Sequence, residues 1–180
     1  HRFFEPGMDA RVQERRTLEL ELREAIAREE FVLHFQPIVC VETREIVACE
    51  ALARWRHPRL GLVGPDRFIP LAEETGLIHD IGARVLETAC REAARWPLPV
   101  PVAVNVSAVQ FERGDLLDIV VGALARSGLA PERLELEITE TTLIEDGEEV
   151  LNTLHALRRR GVRLALDDFG TGYSSLAYLR

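Results

Sequence analysis

The 180-residue sequence contains no lysine, so all 22 of its basic residues are arginines. No lysine in it can act as a base or a Schiff-base amine, and arginine stays protonated and only donates. Cysteine is scarce: Cys40, Cys49 and Cys90 form no Cys-x-x-Cys pair. That excludes a disulfide framework and a cysteine zinc site, and it points to a reducing, cytoplasmic setting. The three are expected as small buried thiols. No apolar run approaches the roughly 18 residues of a bilayer crossing, so direct membrane insertion is not expected. No secretory signal pattern opens the chain. Positive charge is in deficit as well, with a net charge of −8. An acidic chain lacks the basic face of a non-specific nucleic-acid binder. An anionic partner would need a local reversal of the field, which a bound metal supplies.

What is present is an apolar fraction of 47%, enough for a core, and a length that fits one domain. Leu18, Leu22 and Ile26 fall at i, i+4 and i+8 of a charged segment, predicting a helix from about Asp9 to Glu30. Its apolar stripe suits docking on the domain behind it or pairing with a second copy. Strands are then read in "FVLHFQPIV", "REIVACEA", "VPVAVNVS", "RLELEIT" and "VRLALDD". Helices are read at about Asp66–Glu74, Ile78–Trp96, Asp115–Ser127 and Asp146–Arg160. This alternation predicts an α/β fold of parallel βαβ units. Gly161, just past Arg158 to Arg160, reads as a helix C-cap behind a basic last turn.

Four strands carry a hard oxygen donor near their C-terminal ends: Glu50, Asn105, Glu137 and Asp167. Side chains alternate across a strand, so each donor shares a face with the residue two before it. Those residues are Ala48, Ala103, Glu135 and Ala165, while the opposite faces carry mostly bulky residues. A curved sheet with its small face inward would bring the donors together, and strand C-termini are where β/α barrels place their sites. Three carboxylates at one point force protonation or demand a cation. Oxygen donors without His or Cys suit magnesium or manganese. Asp168 adjoins Asp167 at the strand end, before the glycine-rich "GTG", and fits a second ion. Two such ions about 3.5–4 Å apart clamp a phosphodiester for in-line attack.

"EALARW" at Glu50 to Trp55 resembles the signature of the EAL domain family of cyclic di-GMP phosphodiesterases. "FQPIV", "RWRHP", "FIPLAEETGLI", "VNVSAVQF", "LEITET" and "LALDDFGTGYSSLAYL" resemble its other blocks, in order, from about Glu30 to Arg180. The resemblance implies a TIM-type (β/α)8 barrel with an unusual first strand, and hydrolysis of cyclic di-GMP to linear pGpG. It implies a two-metal site of magnesium or manganese held by Glu50, Asn105, Glu137, Asp167 and Asp168. It implies substrate contacts from Gln36, Leu52 and Arg54, and a role for Glu140 in ordering the "DDFGTGYSS" loop. Residues 1–29 resemble the linker helix that follows a GGDEF domain, leaving 30–180 as the N-terminal portion of the EAL domain. The family also allows a homodimer through the "GTGYSS" region.

The family pattern runs on past Arg180, to a strand-borne lysine and a second-metal glutamate. Five strands are read here, against eight in a barrel. The expectation is therefore phosphodiesterase activity in the intact protein and little or none in these 180 residues. Two readings stand beside it: a cyclic di-GMP receptor without turnover, and a dimerising scaffold built on the leader helix.

Overall fold

The structure is a computed structural model and describes residues 8–139, 142 and 147–167. Glu140, Asp168 and the "GTGYSS" stretch lie outside them.

Helix α1 (Met8–Ala27) leads into a hairpin of β1 (Phe31–Val39) and β2 (Ile46–His57), which a short β3 (Gly61–Val63) extends. Then come α2 (Pro65–Glu74), α3 (Ile78–Ala93), β4 (Val102–Val106), α4 (Leu116–Ser127), β5 (Leu134–Thr139), α5 (Gly147–Arg159) and β6 (Arg163–Asp167). The main sheet runs β1-β2-β4-β5-β6, with β3 paired to β2. Its β2-β4, β4-β5 and β5-β6 ladders are parallel, while β1 is antiparallel. The result is an arc of β/α barrel wall opened by one antiparallel strand. Pro37 sits within β1, an edge strand of this sheet, where a missing backbone donor is tolerated.

The core lies between sheet and helices. Val102, Val104 and Val106 of β4 and Leu134, Leu136 and Ile138 of β5 are buried there. They meet the apolar stripe of α3, whose Ile81, Val85, Leu86 and Ala89 recur at helical spacing. Helix α5 ends as expected. Gly161 adopts φ 92°, its amide reaches the Arg158 carbonyl, and the Val162 amide reaches that of Leu157. These two bonds make a Schellman cap, which needs a residue at ease with positive φ.

Strand β2 runs past the expected "REIVACEA" to His57, because "RWRH" alternates: Trp55 and His57 are buried and Arg56 is exposed. Of the cysteines only Cys90 is buried, its thiol pushed up to about 12 by burial; Cys40 and Cys49 are half-buried. Among the described residues no helix is long and apolar enough to cross a membrane.

Helix α1 docks on this wall. Leu22 and Ala25 are fully buried, with Leu18 and Ile26 packed against the same core. The His57 Nδ1 accepts the Arg59 and Leu60 amides at 3.1 and 3.3 Å, so the ring proton resides on Nε2. Nε2 then donates to the Glu21 carboxylate at 3.0 Å, and Arg59 donates to its other oxygen. The His57 bond, with Arg59 behind it, holds the Glu21 carboxyl below its ordinary value of 4.5. A carboxylate with a depressed pKa stabilises above the ordinary value and loses that contribution as pH falls through the depressed one. Glu21→Gln is therefore expected to cost about 1 kcal/mol near neutrality, the worth of a charge-assisted bond at a partly exposed site. The wild-type and variant melting curves should converge as pH falls below the ordinary 4.5 and through the depressed value, where the carboxyl takes up its proton.

Candidate active site on the inner sheet face

Gln36 stands directly opposite Glu50 across the β1-β2 pair, with His34 opposite Leu52 and Val32 opposite Arg54. Glu50, Leu52 and Arg54 share one face of β2 by alternation, and directly opposed residues share a face too. On the parallel side Glu50 is level with Ala103, Asn105 with Glu137, Glu137 with Ala165, and Thr139 with Asp167. The four donors thus advance by two residues from β2 to β4, by none to β5, and by two to β6. All advances are even, so the donors lie on one face. Their sum is four residues over three steps, close to the roughly one residue per strand that a barrel of shear eight requires. Donors staggered with the barrel's shear sit at about one height along its axis.

The contacts agree with that placement. The Asn105 amide donates to Glu50 Oε1 at 2.8 Å, bridging β2 and β4. This bond comes where the β2-β4 ladder has stopped, its last pair being Ala51 with Val104. Glu137 is half-buried and its carboxyl is pushed up to about 7. Burial is the largest cause, followed by the charges of Glu50, Asp167 and Glu135. These acids share one electrostatic neighbourhood.

Among the described residues, no three His, Cys, Asp or Glu side chains are gathered at cation-binding spacing. The described donors are three carboxylates on three strands and one amide. The donor set fits a hard divalent ion: oxygens only, with a carboxyl raised by burial and by the acids beside it.

Gln36 and Asn105 are exposed on this face and Leu52 is half-buried. Arg54 is half-buried as well, and its Nη1 donates to its own neighbour's Ala53 carbonyl at 2.8 Å. That engages one donor of a five-donor fork. Glu140 and Asp168 fall outside the described residues. A cavity of about 650 Å³ between β1 and α3, lined by Phe31, Leu33, Phe35, Arg84 and Val85, holds none of the candidate residues.

The sequence reading missed the groups behind Asn105. Ser107 follows β4 and donates its hydroxyl to Glu73 of α2 at 2.7 Å. The same hydroxyl accepts the Val109 amide, and the Gln110 side chain accepts the Ser107 amide. This is a capping box on a 3-10 turn at Ala108–Phe111. Its Ser-x-x-Gln spacing was readable as such, whereas nothing local marks the partner on α2.

The EAL domain model of protein families matches residues 19–180. The chain is 46% identical to the bifunctional diguanylate cyclase/cyclic di-GMP phosphodiesterase MucR of Pseudomonas aeruginosa, over 99% of this chain and 27% of that protein. It is 45% identical to the cyclic di-GMP phosphodiesterase NbdA of the same organism, over 99% of this chain and 23% of that protein. The chain thus spans only about a quarter of the length of these curated relatives. Among solved structures, the PaMucR phosphodiesterase in complex with c-di-GMP superposes with a TM-score of 0.86 at 46% identity, covering 91% of this chain and 68% of that one. The α/β barrel wall is thus matched by sequence and by shape, and the chain belongs to the EAL domain family.

Proposed function

We propose that this EAL domain binds cyclic di-GMP and, with magnesium or manganese, hydrolyses one of its phosphodiester bonds to give linear pGpG. The observation that carries the reading is the row Glu50, Asn105, Glu137 and Asp167 on one sheet face, with Glu137 raised by its acidic neighbours. The names of MucR and NbdA support it.

Glu50, Asn105, Glu137 and Asp167 would hold a first ion, with Asp168 turned to a second. Such ions lower the pKa of a bound water and neutralise charge on the phosphate. Arg54 presents a planar donor fork to the phosphate, offsetting the net negative charge of the chain. Gln36 and Leu52 border the same face and contact the substrate, and Glu140 orders the loop after β6. The setting is cytoplasmic, behind an upstream GGDEF domain to which residues 1–29 form the linker. Turnover belongs to a chain with the full barrel, since the described sheet supplies five of the eight wall strands.

The test is product analysis of cyclic di-GMP incubated with the full-length protein and magnesium. Linear pGpG is expected; tight binding with no product would make the domain a receptor instead.

A second expectation concerns Glu137. A carboxyl raised to about 7 binds a proton in the native state that the unfolded chain releases near 4.5. The metal-free protein therefore loses stability as pH rises from about 4.5 to 7. Cation binding must expel that proton. Manganese affinity should rise with pH up to about 7 and then level off, and calorimetry in buffers of different ionisation enthalpy should register the released proton.

A further inference from the structure

We infer that Glu73, acting through Ser107, is a positioning residue for Asn105. The inference rests on the reading of Asn105 as a cation ligand.

Asn105 occupies an awkward place in the sheet. It is the second-last residue of β4, beyond the end of the β2-β4 ladder and one step before the last β4-β5 pair, Val106 with Ile138. Backbone pairing holds it from the β5 side only. On the other side its amide rests on Glu50 Oε1, and its backbone is held by the exit of the chain. Two residues on, the Ser107 hydroxyl spends both its donor and one acceptor site, on Glu73 at 2.7 Å and on the Val109 amide. An O–H bond to a carboxylate at this length is of the strong, charge-assisted kind. The Gln110 side chain closes the box and is buried. It fits over the bare backbone of Gly82 in α3, where a Cβ would come within 2.1 Å of the Gln110 amide nitrogen. Two helices, α2 and α3, thus clamp the chain immediately after Asn105.

Glu73 touches neither Asn105 nor, in this reading, substrate. It sets the angle at which β4 delivers its amide beside Glu50. Groups that orient ligands without binding the metal are commonly worth about 10–100-fold in metal affinity. A structural carboxylate of the same burial would show in stability and leave metal affinity unchanged.

The test uses the full chain and manganese alone, its binding followed by electron paramagnetic resonance and its stability by thermal unfolding without metal. Glu73→Ala and Ser107→Ala should each weaken manganese binding by about 10-fold. The double variant should be no weaker than either single one, since both remove the same link. Glu73→Gln keeps an acceptor for the Ser107 hydroxyl and should restore most of the affinity. Unchanged affinity in Ser107→Ala and Glu73→Ala, or losses that add in the double variant, would overturn the inference and leave the ligand reading intact. Failure of the unaltered chain to bind manganese at all would overturn both. Should Glu73→Ala fail to fold, Ser107→Ala still decides, because it removes the same bond and leaves α2 unaltered.

Discussion

Glu50→Ala is expected to lower cyclic di-GMP turnover by the full-length protein at least about 100-fold while leaving the metal-free fold no less stable. The activity loss follows from position. Glu50 supplies one of the three carboxylate donors in the row, and its Oε1 is the acceptor that holds the Asn105 amide. Removing it takes away one donor and frees another. Second-layer groups already cost up to about 100-fold, so a ligand should cost at least that. The stability prediction has the opposite sign for an electrostatic reason. Glu50 is the leading charge among those that raise Glu137, after burial. Without it, Glu137 should titrate nearer its ordinary 4.5 and repulsion across the face should relax. At pH 8 without metal, the variant should melt no lower than wild type, and magnesium should stabilise wild type far more than the variant. Assembled sites commonly sacrifice stability in this way. A variant that loses activity together with several degrees of metal-free melting temperature would point to a structural role for Glu50.

The second large effect is at Trp55. Its ring is fully buried, 6.1 Å from Phe31, 6.4 Å from Phe68 and 4.7 Å from His57 between ring centres. Its indole N–H donates to Glu30 at 3.0 Å, just after α1. Trp55→Ala should cost about 4 kcal/mol, the range for deleting a buried aromatic. A domain of this length holds only about 9–27 kcal/mol in all at 0.05–0.15 kcal/mol per residue. The loss should not be local. Trp55 and His57 alternate with Arg54 and Arg56 on β2, and through Glu30 and Glu21 they fasten the C-terminal half of α1 and its exit. Chemical denaturation should show the shift in midpoint, and hydrogen exchange should show the amides of α1 opening first. Trp55→Phe keeps the ring contacts and loses the bond to Glu30, so it should recover most of the stability.

Where the sequence was legible, the signal was periodic or local. The alternation of "LELEIT" and "VAVNVS" placed strands and donor faces within a residue or two, and the glycine after Arg160 placed a helix end. Counting two residues back from each donor suggested a shared face, and the even register advances between strands put Glu50, Asn105, Glu137 and Asp167 on it. The features that stayed hidden were set by tertiary partners. "RWRH" looks like a charged loop until α1 and α2 cover its buried face, so the sequence pattern for β2 stops six residues short of His57. Glu73 is indistinguishable from Glu74 in the sequence, yet only one of the two is bonded to Ser107. The leader helix likewise showed its stripe but not its seat. That required His57, far along the chain, with a tautomer fixed by two backbone amides.

The most direct measurement is cyclic di-GMP turnover by the full-length protein after complete removal of divalent ions, followed by a magnesium titration. No product is expected without the ion, with saturable recovery once it is added and no recovery in Glu50→Ala. Undiminished turnover in the metal-free protein would contradict the reading of Glu50, Asn105, Glu137 and Asp167 as one cation-holding face.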